Sequence, residues 1–276
     1  MTFVTRTPPK FLGVYLTRPA PAPTPAPTPA PTPPPAPQPP TGMVLWLKGD
    51  SLAALSNGDP VSTWPDSSGN ALDATSAGTQ RPTYVAPGSS AFNGKAAVNI
   101  SYLQLQNFAL PASALFTDFT AGISVIAVAF FRSGLNSGNG VIVRLGTNSA
   151  FNDLLFYGNY PTDDLYVTTL PTFDSLANPA SIVRDTPQIF SLYMNPGVDP
   201  TQVTTSVDVD GAPVSALVGA LPNSARADNV IGDQVVGAGT LPFDGQIAEL
   251  FVYPFTLTAP QRATMAAYLL NKYALP

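Results

Sequence analysis

The sequence contains no cysteine and no histidine. Without cysteine there is no disulfide, no zinc–thiolate site and no thiol nucleophile. Without histidine there is no Ser-His-Asp triad, and the commonest general base and transition-metal ligand are missing. Glutamate is nearly absent as well, since Glu249 is the sole one among 276 residues. A carboxylate pair for glycoside hydrolysis would need two aspartates, or Glu249 with one aspartate. Charged residues make up only 11% of the chain, so its surface must be largely neutral and polar. No apolar run reaches the length of about 20 residues that a membrane-spanning helix needs. The longest, GISVIAVAFF at residues 122–131, is half that and is expected to be a buried strand.

Proline is what the sequence has in excess, and it is concentrated. Of the twenty-two residues 19–40, thirteen are proline and the rest are alanine, threonine and one glutamine. Proline fixes φ and lacks an N–H donor, so this stretch forms neither helix nor sheet. It is expected to be a polyproline II rod of roughly 70 Å, at about 3.1 Å per residue. A plain spacer is the first reading. A ligand for an SH3-like groove is a weaker one, because flanking basic residues are few. Thr-Pro repeats also suit O-glycosylation in secreted chains.

Ahead of the rod stands MTFVTRTPPKFLGVYLTR, residues 1–18. Its opening is polar and interrupted by proline, without the apolar run of a signal peptide. It nonetheless carries Phe3, Val4, Phe11, Leu12, Val14, Tyr15 and Leu16 beside Arg6 and Lys10. So few residues cannot build a core, so these apolar groups are expected to be buried on a partner as an extended arm. Charge separates the two parts of the chain. Residues 1–40 hold three basic residues and no acid, whereas the remainder holds nine basic and seventeen acidic residues, a formal −8. That balance argues against nucleic acid as the partner of the larger part.

From Gly42 onward, short β-rich runs alternate with turn signals. MVLWLKG, AAVNI, YLQLQNF, ISVIAVAFF, GVIVRLG, LLFYG, LYVTT, IFSLYM, VTTSVDVDG, NVIGD and GQIAELFVY are the expected strands. Their spacing, with no helical period between them, predicts an all-β antiparallel sandwich or jelly roll. SVDVDGAPVS reads as a hairpin turning at Asp210-Gly211. One helix is expected at the C-terminus. Thr258 and Gln261 form a T-x-x-Q capping box, Pro260 lies in the first turn, and Met265, Tyr268, Leu269 and Tyr273 recur near helical spacing. The expected organisation is an extended arm over 1–18, a linker over 19–41 and a folded domain over 42–276.

LWLKGDSL, then NGDPVSTWPDSSGNALDAT, RPTYV and FNGKAAVNI, resemble the opening of concanavalin A-like lectin/glucanase domains of the laminin-G type. FDGQIAELFVYPFTLTAPQRATMAAYLLNKY is similar to the closing strand and helix of that group. The likeness touches both ends of residues 43–275 and implies a jelly-roll β-sandwich. The chain departs from the pattern after Lys95, where it reads VNISYLQL. Many domains of this kind bind calcium, and their β-glucanase members carry two glutamates within a few residues of one strand. That glutamate pair is absent here, which points away from an enzyme.

Two stretches carry candidate site residues. In WPDSSGNALDAT, Trp64 and Pro65 pack under a turn that Asp66 caps through following N–H groups. Alternatively, Asp66 and Asp73 with nearby carbonyls hold calcium. DVDG resembles part of an EF-hand loop but lacks its closing glutamate, so the turn is preferred. In FYGNYPTDDLY, Tyr157, Asn159, Tyr160, Asp163, Asp164 and Tyr166 could stack on and hydrogen-bond to a glycan, or the tyrosines could simply cover the sheet. Glu249 is expected in a salt bridge or a hydrogen-bonded edge position.

Taken together, the arm, rod and sandwich predict a non-enzymatic virion structural protein, a bacteriophage capsid decoration or head-fibre protein. It would be assembled in a host cytoplasm in many copies on a symmetric particle, docked to a capsid or other virion protein through residues 1–18, and displaying a lectin-like domain for weak adhesion to cell-surface glycans. Neither a membrane nor nucleic acid is an expected partner, and no cofactor beyond calcium is implied. The alternative is a carbohydrate-binding or adhesive module of a bacterial surface or secreted protein.

Overall fold

The computed structural model describes residues 35–133, 140–147, 153–169, 174–196, 202–219, 226–234 and 241–275, together with Phe3, Pro9 and Gly13. Of the arm residues expected to dock, Phe3 is 94% exposed. Val4, Arg6, Lys10, Phe11, Leu12, Val14, Tyr15 and Leu16 lie outside the described residues.

The strands are β1 (Leu45–Lys48), β2 (Thr63–Trp64), β3 (Ala74–Thr75), β4 (Thr83–Val85), β5 (Ala97–Ile100), β6 (Phe108–Leu110), β7 (Ile123–Phe131) and β8 (Gly140–Leu145). They continue with β9 (Leu154–Asn159), β10 (Asp164–Thr169), β11 (Asp174–Asn178), β12 (Gln188–Pro196), β13 (Gln202–Val209), β14 (Ala212–Gly219), β15 (Asn229–Ile231) and β16 (Gly245–Tyr253). A single helix, α1 (Ala259–Tyr273), follows among the described residues. One sheet has the order β14-β13-β12-β7-β16-β5-β4, with β1 also pairing β16, and the other has the order β11-β10-β9-β8-β15-β6-β3-β2. All of these pairings are antiparallel. The fold is therefore an antiparallel β-sandwich closed by one C-terminal helix, as the strand spacing predicts.

The main core lies between the sheets, where Val125, Ala127, Ala129 and Phe131 of β7 face Leu145, Leu154 and Phe156 of the second sheet. A second core lies on the outer face of the first sheet. There Ile126, Val128 and Phe130 of β7, with Phe251 and Tyr253 of β16, pack beneath Met265, Tyr268, Leu269 and Tyr273 of α1. These two cores explain why β7 is apolar at every position but Ser124. A strand covered on both faces has no solvent side to alternate with.

The helix begins as its sequence predicts. The N–H of Thr258 donates to Gln261 Oε1 at 2.9 Å, the full capping box is present, and Pro260 sits in the first turn. At the hairpin joining β13 and β14, Asp210 and Gly211 both take positive φ, 50° and 81°. That is the geometry favoured by two-residue turns matching the strands' twist.

Three expectations need correction. YLQLQNF is not one strand, because Tyr102–Gln104 forms a 3-10 turn and pairing starts only at Phe108. The local cause is Gln106, whose side-chain oxygen accepts the Ser101 N–H at 2.8 Å and whose own N–H donates to the Ser101 carbonyl. The compact unit begins at Ala36 rather than Gly42. Pro39 and Pro40 are buried, and the Tyr253 hydroxyl donates to the Pro40 carbonyl at 2.9 Å. Glu249 is in a salt bridge as expected, with Lys272 Nζ at 3.0 Å, but it is not at an edge, because β16 pairs β7 on one side and both β1 and β5 on the other.

Candidate functional site

The outer faces of the two sheets differ, and the candidate site is on the second sheet's. Along β9 and β10, Leu154, Phe156, Leu165 and Val167 point into the main core. The alternate residues therefore face outward. The register sets Leu155 opposite Thr168, Tyr157 opposite Tyr166 and Asn159 opposite Asp164. Four of the six glycan-binding candidates thus share one face, and Tyr160 and Asp163 occupy the turn at the end of the same hairpin.

The two facing tyrosines stack on each other, with ring centroids 5.4 Å apart and planes 14° apart. The Tyr157 ring also packs on Val141 and Leu155, and its hydroxyl lies 3.3 Å from Thr168 Oγ1. Burial raises its pKa above that of a free phenol, partly offset by the Thr168 hydroxyl. This pair therefore covers the sheet rather than offering open ring faces. Tyr160 differs, being 38% exposed at the tip.

The tip is held by a residue the sequence did not flag. Arg184, from the segment after β11, places its guanidinium 2.6 Å from Asp163 Oδ1 and 5.0 Å from the centre of the Tyr160 ring. Its Nη1 also donates to the Arg132 carbonyl at 3.0 Å. Asp163 is in the left-handed region at φ 56°. Asp164 Oδ1 accepts the Ala180 N–H at 2.7 Å. Next to Arg184, Asp185 accepts hydrogen bonds from the Ser133 hydroxyl and N–H, which hold its carboxyl below the usual range. The tip thus presents one aromatic ring, a guanidinium, two carboxylates and the Asn159 amide. That set can flank a sugar ring and exchange hydrogen bonds with its hydroxyls. Nothing in the local sequence links Arg184 to Tyr160, since the fold brings them together.

The Asp66 and Asp73 candidates form a backbone clasp. Asp66 Oδ1 accepts the N–H groups of Trp46 and Ser68, and its Oδ2 accepts the Ser68 hydroxyl and the Leu72 N–H, all within 3.1 Å. Asp73 Oδ1 accepts the Asp66 N–H at 2.8 Å. Trp64 is fully buried beneath this turn and donates to the Lys48 carbonyl. The carboxylates organise main chain here. Among the described residues, no group of three or more acidic side chains is placed to hold a metal ion.

Glu249 faces the helix, not a cleft. The register of β16 against β7 slips between Ile247 and Glu249, and this bulge turns Glu249 from the main core toward α1. Its Oε1 accepts from Trp46 Nε1 at 2.9 Å, the Tyr268 hydroxyl at 2.7 Å and Lys272 Nζ at 3.0 Å. Its Oε2 accepts the Tyr273 hydroxyl at 2.8 Å. Burial, and then the Glu249 charge, push the ionisation of both phenols far upward.

No protein-family model matches the sequence, and no curated protein matches it. Among solved structures, the chain is similar to domain 4 of AbnA, a GH43 extracellular arabinanase from Geobacillus stearothermophilus, in complex with arabinotriose. The identity is 16%, over 82% of this chain and 98% of that one, with a TM-score of 0.54. Trypanosoma rangeli sialidase aligns at 17% identity over 83% of this chain and 33% of its own, with a TM-score of 0.49. The CBM40 of Ruminococcus gnavus IT-sialidase aligns at 12% identity over 62% of this chain and 96% of its own, with a TM-score of 0.46. The arabinanase domain shares the sandwich fold.

Proposed function

We propose that the folded unit is a non-catalytic carbohydrate-binding module whose glycan contact is the tip of the β9–β10 hairpin. The carrying observation is the convergence of the exposed Tyr160 ring with Arg184 and Asp163 beside the outward Asn159–Asp164 pair. Two facts support it. The arabinanase domain of the same fold is a structure with bound arabinotriose. The only glutamate, the residue type that paired carboxylate catalysis most needs in this fold, is buried among four donors.

Display on a virion through residues 1–18 rests on the composition of the arm and rod. The fold favours the binding module over that reading, and a surface or secreted protein carries such a module as readily as a particle. The test is titration of the full chain against arabinan, xylan and β-glucan oligosaccharides and sialyllactose. Binding of at least one, weakened about tenfold by Tyr160→Ala as expected for the loss of one stacking ring, supports the proposal. No binding in the whole panel, or equal binding by the variant, overturns it.

A further inference from the structure

A second recess lies on the opposite, helix-covered side of the sandwich, and its charge is unlike the rest of the unit. It has a volume of about 300 Å³ and is lined by Trp46 and Lys48 of β1, Asp50, Lys95, the last turn of α1, and linker residues including Pro37 and Gln38. The folded part contains three lysines, Lys48, Lys95 and Lys272. All three line this one recess, in a part of the chain whose formal charge is −8.

Lys272 is neutralised where it stands, with Nζ 2.8 Å from Asp50 and 3.0 Å from Glu249. Those two carboxylates are thereby engaged. Lys48 lies over the Trp46 ring at 4.3 Å, and neither it nor Lys95 has a carboxylate within ion-pair distance among the described residues. The arginines among the described residues, by contrast, pair with aspartates or donate to main-chain carbonyls. Three lysines against the Asp50 and Glu249 carboxylates leave one net positive charge at the mouth, where the Lys48 and Lys95 ammonium groups stand outside any ion pair beside the exposed amide of Asn271.

We infer that this recess binds an oxyanion, either free or borne by an acidic saccharide. Two ammonium groups and an amide lining the same recess supply donors for such a group, and charge-assisted hydrogen bonds are the stronger kind. The walls are preformed, since Trp46 is fixed by Glu249, Phe251 and Tyr268. Because Pro37 and Gln38 line the recess, the bound anion also touches the point where the linker enters the folded unit. The inference does not depend on the hairpin tip, which uses different residues on the other sheet.

Trp46 supplies a direct readout, because the only other tryptophan, Trp64, is fully buried. An anion that draws Lys48 from the indole face alters Trp46 fluorescence. The full chain is titrated at low ionic strength with inorganic sulfate, with trigalacturonate and with neutral arabinotriose, following fluorescence and heat. Saturable binding of sulfate or trigalacturonate, weakened about tenfold or more in the Lys48→Gln/Lys95→Gln double variant and by added salt, supports the site. Tighter binding of trigalacturonate than of sulfate identifies a saccharide-borne group, and the reverse identifies a free anion. Lys95→Gln alone is expected to fold normally, since Lys95 is on a turn, and to lose part of the affinity. No saturable response to either anion, or an equal response in the double variant, overturns the inference. Arabinotriose binding that survives in the double variant belongs to the hairpin tip and leaves the result at the recess to be read from the anions alone.

Discussion

The two outer faces of the sandwich are built from similar strands and put to opposite uses. Over the first sheet, α1 seals a second core, and the polar groups beneath it point at one another. Trp46, Tyr268, Lys272 and Tyr273 form a set of four donors around the Glu249 carboxylate. Over the second sheet, the β9–β10 hairpin leaves Tyr160, Asn159, Asp163 and Asp164 half-buried or exposed. A buried polar group without a partner is costly, whereas an exposed one is free to exchange water for a ligand. The covered face therefore stabilises the fold, and the uncovered tip is where recognition can occur.

Breaking the covered face should have the largest effect. Glu249→Ala removes the acceptor of four donors and leaves two phenols and an indole N–H buried beneath the helix. The expected loss is about 3–5 kcal/mol, as for removing one partner from a buried ion pair. Lys272 retains Asp50, which places the expectation toward the lower end. Denaturant unfolding measures it, and an unchanged midpoint would show that α1 is held by its apolar face alone.

The same face predicts a response to alkali. Tyr253, Tyr268 and Tyr273 all have pKa values raised by burial, with the Glu249 charge adding to the rise. In the unfolded chain they ionise near 10, so the folded state binds more protons above that pH. Their contribution is complete below about pH 10 and is lost as pH rises, by up to about 1.4 kcal/mol per unit for each group. Arg226 acts in the opposite sense. Burial lowers it to about 10, so its cost to folding is relieved between there and its ordinary range. Three groups outweigh one, and the denaturant midpoint should fall steadily above pH 10. A Tyr268→Phe/Tyr273→Phe double variant should show a shallower fall, and an identical slope would locate the alkaline sensitivity elsewhere.

The covered face was legible in sequence where it depends on local pattern. The capping box at Thr258 and Gln261, and the recurrence of Met265, Tyr268, Leu269 and Tyr273, mark the helix and its buried stripe because both arise within a few turns. The apolar run of residues 125–131 in β7 marks a strand covered on both sides. What joins the faces was not legible. Trp46 and Glu249 are 203 residues apart, and a bulge rather than any residue type turns Glu249 toward the helix. At the tip, the stretch FYGNYPTDDLY announced a hairpin with outward polar groups, but Arg184 reaches it from beyond β11. The short pairs β2 and β3 carry too few residues for a period, and β11, reading DSLAN, is too polar to stand out.

The smallest expected effect on stability is at the tip, and it sharpens the comparison most. Tyr160→Ala removes a ring that is 38% exposed and lies over a guanidinium. An exposed cation–π contact contributes about 0.5–1 kcal/mol, so the unfolding midpoint should move little. Arg184 keeps its ion pair with Asp163 and its hydrogen bond to the Arg132 carbonyl, which leaves the turn anchored. A near-native midpoint together with weakened glycan binding would separate recognition from stability in the way the two faces imply. A loss of several kcal/mol would instead mean that Tyr160 holds the hairpin closed, and the tip would then belong with the covered face as part of the scaffold.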